Sequence, residues 1–212
     1  MVQTTCIQKT NMKSSENKNT AVSNDPTNAR KSAILDFCKQ YGLNPADYKF
    51  SSDYKTLMKC NANFVFDGNT YVLRIPPVEI LGKLSCSHIQ NRNNIPSEVK
   101  YSSVVIIPNT VTEIGEAAFY NSSFYEIKLG DNVSVIKPKA FMNNDSLVEF
   151  NNNKKVKRIP EDCFRDCIML KSVNLGEIEK IYSYAFKGCK QLTEAYYDCD
   201  EVNSTAFVGC NL

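Results

Sequence analysis

Apolar positions in the second half of the chain fall into fixed columns. Phenylalanine recurs at Phe119, Phe141, Phe164, Phe186 and Phe207, in steps of 22, 23, 22 and 21 residues. A small residue stands before each one: Ala118, Ala140, Cys163, Ala185 and Ala206. A branched aliphatic stands five residues before each, at Ile114, Ile136, Ile159, Ile181 and Val202. Between one phenylalanine and the next runs a Leu-x-x-Val-x-Leu pattern, cleanest at Leu170, Val173 and Leu175. It recurs in Phe124, Ile127 and Leu129, in Leu147 and Phe150, and in Leu192, Ala195 and Tyr197, while Val105 and Ile107 hold the same places before the first Phe. Alternation at the end of this pattern predicts a short strand with one buried face. Turn residues follow, such as Gly130, Asp131 and Asn132, or Gly176 and Glu177. A second extended piece then carries the aliphatic residue, and the small-Phe pair predicts a single helical turn. A unit this short cannot bury its own apolar side, so the repeats must stack. The expectation is an α/β solenoid with parallel strands near 104–107, 126–129, 148–150, 172–175 and 194–197 and a ladder of Phe side chains inside.

The first half reads differently. Residues 1–26 are rich in Lys, Asn, Ser and Thr, which predicts a disordered polar tail. Ala33, Ile34, Phe37, Cys38 and Tyr41 follow helical spacing, and Gly42 is a natural stop. Asn44 and Pro45 have the chemistry of a cap and first turn for another short helix. Residues 63–66 and 71–75 flank Asp67 and Gly68 as a hairpin would, and a short helical piece is expected from Val78 to Leu81. Residues 27–98 are therefore expected as an irregular α/β cap, and 99–212 as a solenoid of about five repeats.

The repeated phrase Ile181-x-x-x-Ala185-Phe186-x-x-Cys189-x-x-Leu192, with its counterpart from Asn109 to Phe119, resembles the BspA-like, or Treponema-type, leucine-rich repeat family. The resemblance covers roughly residues 100–212, with lapses at Ser122 and Asn144 in the Cys column. It implies a curved right-handed leucine-rich repeat superhelix used for protein recognition without catalysis. Bacterial members of the family are often surface adhesins, and the Asn- and Lys-rich text here suits a protist member.

Composition narrows the function classes. The formal net charge is +2, so no broad field draws nucleic acid or anionic lipid. No stretch approaches a membrane span, and the N-terminus lacks the apolar run of a signal peptide, so a cytoplasmic location is expected. Nine cysteines at scattered spacing do not suggest a disulfide framework. Cys167, Cys189 and Cys210 each fall three residues after a repeat Phe, which predicts a ladder of buried, reduced thiols. Cys163 and Cys167 lack the paired ligands of a closed zinc site, so no metal and no cofactor are expected.

Catalytic patterns are not evident. His88 stands alone in a polar stretch, and Asp162 and Asp166 are spaced for a solvated helical turn. The basic run of Lys154, Lys155, Lys157 and Arg158 is read as a solvated bend with Val156 turned inward. The expected function is a non-catalytic interaction scaffold or regulatory subunit for a protein partner. A surface adhesin exported without a standard signal, or a regulator of a partner enzyme such as a phosphatase, are the alternatives. Outward strand positions supply the partner-binding candidates, because successive residues alternate faces. One column is Val104, Glu126, Glu149, Ser172 and Glu194, and its neighbour is Ile106, Lys128, Asn151, Asn174 and Tyr196. With the last strand lacking a successor, Tyr197, Phe207 and Leu212 are expected to form an edge that joins copies into a dimer or tetramer.

Overall fold

Two walls of parallel strands carry the apolar columns of the sequence. The computed structural model describes residues 25–62, 64–89 and 103–212; residues 1–24 of the expected polar tail, with Cys6, and 90–98 of the expected cap lie outside them, while the tail's last two residues, Asp25 and Pro26, belong to the start of a helix. The sheet-face wall contains β3 (Val65–Phe66), β4 (Tyr71–Arg74), β6 (Ser103–Ile106), β8 (Glu126–Lys128), β10 (Glu149–Asn151), β12 (Ser172–Ile181) and β13 (Glu194–Val202). The second wall carries the aliphatic column in β5 (Ile80–Leu81), β7 (Glu113–Ile114) and β9 (Val135–Ile136), then in β11 (Arg158–Ile159) and the far ends of β12 and β13. The chain thus climbs as a parallel-strand solenoid with little helix. Strands β12 and β13 run through the corner without a break, bent by a register shift at Asn174 and Gly176, where Gly176 takes a φ of +66°.

The core lies between the walls and is built on one stack of rings. Phe119, Phe141, Phe164, Phe186 and Phe207 follow one another at centroid separations of 5.6, 5.1, 5.1 and 5.0 Å, with planes within 15° of parallel. Neighbouring parallel strands lie about 4.8 Å apart, so one ring per rung sits at stacking distance without adjustment. Phe124 and Phe150 fill the strand side of the stack, the first edge-on to Phe119 at 5.7 Å, the second tilted against Phe164 at 4.6 Å. The aliphatic column Leu57, Leu81, Ile114, Ile159 and Ile181 is fully enclosed.

The Ala-Phe segment is a run of overlapping turns, not the helical turn that spacing suggested. In the rung of Phe164, Cys163, Arg165 and Cys167 donate to the carbonyls three residues back, at Pro160, Asp162 and Phe164. The alternate residues Asp162, Phe164 and Asp166 donate instead to Ser183, Ala185 and Lys187 of the next rung. Asp162 and Asp166 take φ of 54° and 58°, the positive value that a type II turn needs at its third residue. The same two places recur as Ala117 and Asn121, Lys139 and Asn143, and Tyr184 and Gly188. A helical turn would spend these N–H groups within the rung. The alternating turns release every second one to bind the neighbour, which offsets the strain of non-glycine residues there.

One column completes this turn. Cys167, Cys189 and Cys210 each donate Sγ–H to the carbonyl of the previous rung's phenylalanine, at 3.2, 3.1 and 3.1 Å from the oxygens of Phe141, Phe164 and Phe186. Ser122 makes the same bond to the carbonyl of Cys86, at 3.0 Å. The column therefore asks for a small donor, and its departure from Cys at Ser122 keeps the rule. Asn144 departs from it: it accepts from the N–H groups of Phe124 and Ser146, and its own buried NH2 finds no partner among the described residues. Burial pushes the Cys163 thiol well up and that of Cys167 up to about 12.

The segment 71–89, expected as part of a cap, is hydrogen-bonded as a rung. Tyr71, Val72, Leu73 and Arg74 pair in parallel with Ser103, Val104, Val105 and Ile106. Ile80 and Leu81 pair with Glu113 and Ile114, so the helical piece expected from Val78 to Leu81 is strand. Cys86 donates its N–H to Ala118 at 2.8 Å, which places it beneath Phe119 in the ring column. Before it, β2 (Thr56–Cys60) pairs in parallel with β5 and antiparallel with β1 (Tyr48–Phe50). The expected hairpin is present as β3 with β4. Helix α1 (Pro26–Gln40) is capped by Asp25, whose Oδ1 accepts from Thr27 at 2.9 Å, and ends where Gly42 takes a φ of +63°. It buries Ile34 and Cys38 and is tied down by Arg30, 3.2 Å from Glu79. Asn44 caps a 3-10 turn at Pro45–Asp47, as its sequence chemistry indicated.

Three outcomes follow from this packing. Phe164→Ala removes a fully buried ring from the middle of the stack and should lower stability by about 3–5 kcal/mol; an unchanged denaturation midpoint would show that the stack is not core. Gly115→Ala places a Cβ against the backbone of Leu81 and Gly82, whose carbonyl carbon would lie 2.9 Å away. It should lower stability by about 1–3 kcal/mol, measured in the same denaturation series. Thiol labelling of the folded protein near pH 8 should be slow at Cys167 and Cys189 and faster at half-buried Cys199; equal rates would contradict the enclosed column.

Candidate interaction surface

The sheet-face wall brings the candidate partner residues together in register. Glu126 stands beside Glu149, Glu149 beside Ser172, and Ser172 beside Glu194. In the neighbouring column Ile106 faces Lys128, and Asn151, Asn174 and Tyr196 follow in line. Lys128, Glu149, Asn151, Asn174, Glu194 and Tyr196 are exposed, and Glu126 and Ser172 are half-buried. Tyr196 is 60% accessible, the most open of the large apolar side chains described. The column of three glutamates meets one lysine, Lys128, whose Nζ lies 3.7 Å from Glu126, while Asn151 donates to Glu149 at 2.6 Å. Like charges in adjacent parallel positions repel, and Glu126 beside Glu149 gives this part of the wall a local excess of negative charge.

The same columns continue where the sequence columns stopped. Val72 and Arg74 precede Val104 and Ile106 on β4. Val72 and Val104 are buried, and the Arg74 guanidinium lies 4.5 Å over the ring of Tyr41. The exposed part of the face therefore runs from β8 to β13. On the last rung Tyr197 stacks on Phe207 at 5.8 Å, Phe207 is half-buried, and Leu212 is 58% accessible. These three expected edge residues lie at one end of the ring column.

The remaining candidates take structural places. His88 is exposed at a φ of 59°, with its ring edge-on to Tyr120. Asp162, expected as solvated, is buried, with its carboxylate 3.4 Å from Arg165, which also reaches Asp166. Val156 points inward at 1% accessibility while Lys154, Lys155 and Arg158 are exposed. Among the described residues no group of three His, Cys, Asp or Glu is placed to hold a metal ion. No described helix is long and apolar enough to cross a membrane.

One surface feature escaped the column reading. Strand β9 pairs with β7 and strand β11 with β12, and among the described residues no ladder joins β9 to β11. Lys137 and Tyr182 each donate to the aliphatic residue of the rung before, Ile114 and Ile159, but the equivalent place on β11 is Pro160, which has no N–H. A groove of about 610 Å³ opens along the break, between Val135, Ile136 and Pro138 on one side and Arg158, Pro160 and Glu161 on the other. The signal was in the text: this is the only Phe-to-Phe step of 23 residues, and it contains the proline. Asn153 spans the longer corner with its amide, donating to Gly130 and Val133 at 2.8 Å each.

Comparison with known proteins bears on the repeat. Among solved structures, a leucine-rich repeat protein of T. pallidum is 20% identical, covering 76% of this chain and 85% of its own, with a TM-score of 0.49. A leucine-rich cell surface protein of Faecalibacterium prausnitzii is also 20% identical, over 74% of this chain and 54% of its own, with a TM-score of 0.41. A leucine-rich repeat protein from Bacteroides ovatus is 19% identical, over 78% and 55%, with a TM-score of 0.35. No curated protein matches the chain significantly. The family model for the BspA type leucine rich repeat region matches in six copies over residues 93–212. With more than half of its length matched, and with rings, aliphatic residues and turn donors in register, the chain belongs to the BspA-type leucine-rich repeat family.

Proposed function

We propose that the protein is a non-catalytic scaffold that binds a protein partner on the exposed face of β8, β10, β12 and β13. The observation that carries this reading is the pair of in-register columns on that face. Glu126 and Glu149 offer carboxylates one rung apart, Glu194 a third two rungs further on, and Tyr196 an exposed ring in the neighbouring column. A parallel wall held by backbone bonds is rigid, so a partner meets these groups without an ordering penalty on this side. The chemistry favours an extended or sheet-like protein segment with lysine, arginine or amide donors spaced along it. The cytoplasm is the proposed place of action. Exposed apolar side chains at Tyr197, Val208 and Leu212 support self-association as a second contact.

Capture by immobilised full-length protein, compared with a Tyr196→Ala, Glu149→Lys double variant, tests the partner face. The partner should be lost from the variant by about 100-fold in affinity if the exposed ring is an anchor, and binding to the wild type should fall with salt. Undiminished capture by a folded variant would move the site off this face. Labelling of intact cells at their surface separates the scaffold from an adhesin. Light scattering at micromolar concentration should give a dimer or tetramer mass, reduced by Tyr197→Asp. A monomeric mass for the wild type removes the second contact.

A further inference from the structure

The ring column does not end in rings. One rung below Phe119 it continues as Cys86, and two rungs below as Cys60. Cys60 donates its N–H to Ser85 at 2.7 Å, just as Cys86 donates to Ala118 and Phe119 to Ala140, so Cys60 stands one rung beneath Cys86 in the same column. Column neighbours in a parallel stack are about 4.8 Å apart at their Cα atoms, inside the window of about 4.4–6.8 Å that a disulfide spans. Cys86 is wholly enclosed and Cys60 is 5% accessible. Burial holds the Cys86 thiol protonated, and its S–H, with the N–H of Ala62, draws the Cys60 thiol below its usual range. Cys189 and Cys210 are column neighbours of the same kind, but each also has a backbone carbonyl of the previous rung within reach of its S–H, at 3.1 Å.

We propose that Cys60 and Cys86 form an oxidisable dithiol that closes to a disulfide between the first two rungs. With a peroxide as oxidant, the Cys60 thiolate attacks one oxygen and the O–O bond breaks. Cys60 becomes a sulfenic acid and hydroxide leaves, taking the thiol proton to form water. Cys86 then attacks the Cys60 sulfur; the S–S bond forms, the S–OH bond breaks, and a second water leaves with the Cys86 proton. Two thiols are oxidised and one peroxide is reduced to two waters. The closed form pins β2 to the rung of β5, at the end of the solenoid that α1 covers. The proposal is independent of the partner face, and it gives the fold two redox forms with the same surface on β8 to β13.

The test uses the folded full-length chain and hydrogen peroxide, followed by alkylation, digestion and mass mapping. The expected result is a linked Cys60–Cys86 peptide pair with two hydrogens lost, a thermal midpoint raised by oxidation, and both effects reversed by a phosphine. The Cys86→Ser variant should instead carry an unresolved sulfenic acid on Cys60, trapped by dimedone. Should that variant not fold, the wild-type map decides alone. Both cysteines recovered as free thiols, Cys60 recovered as sulfinate in the wild type, or Cys189 linked to Cys210 in preference would each overturn the proposal.

Discussion

The rung spacing is the constraint from which the rest of the structure follows. Backbone hydrogen bonds between successive rungs hold them one strand apart, and every side-chain column must accept that spacing. Phenylalanine accepts it best, because flat rings about 5 Å apart fill the interval with no void. The same constraint makes Gly115 and Gly130 necessary, since each presses on the backbone of the preceding rung at the corner, where a Cβ has no room. It also explains the turns. A helix would satisfy its own N–H groups and leave the rung without a neighbour bond on that side. Alternating turns send every second N–H across, as at Asp162, Phe164 and Asp166.

Polar residues at the corners serve the same stacking. Asn109 accepts from the N–H of Asp131 one rung on, Asn132 reaches back to the Asn109 carbonyl, and Asn152 donates to Leu175. The Asn-rich text is therefore part of the scaffold and not only of its surface. Where a rung departs from the pattern, the departure is local. The extra residue and Pro160 between Phe141 and Phe164 open the second wall, while the ring stack beside them continues at 5.1 Å.

The proposed partner site lies on the wall the stacking leaves free. The scaffold fixes Glu126, Glu149 and Glu194 in line but does not select them, because outward strand positions carry no packing demand. Such positions are where a repeat protein can acquire a partner without disturbing its core. At the other end, Cys60 and Cys86 occupy core positions and still retain their chemistry, since a thiol both packs as a small hydrophobe and can be oxidised.

The amino-acid text alone determined the repeat, the inward columns and the register of the outward face, since each depends only on side-chain period and one-per-rung spacing. Phe164 and Ile159 are buried where that period placed them, and Asn151 lies between Lys128 and Asn174 in their column. Tertiary structure decided what spacing could not reach. The segment 71–89 became a rung because its backbone pairs with β6 and β7, although Cys86 replaces the Phe and 33 residues separate it from Phe119. The small-Phe segment became a series of turns because its N–H groups are worth more to the neighbouring rung than within their own. The wall split between β9 and β11, where Pro160 has no N–H to offer the carbonyl of Ile136 and the strands form no ladder among the described residues. Each of these outcomes is a pairing between distant backbone groups, and no local pattern of residue types records which groups will meet.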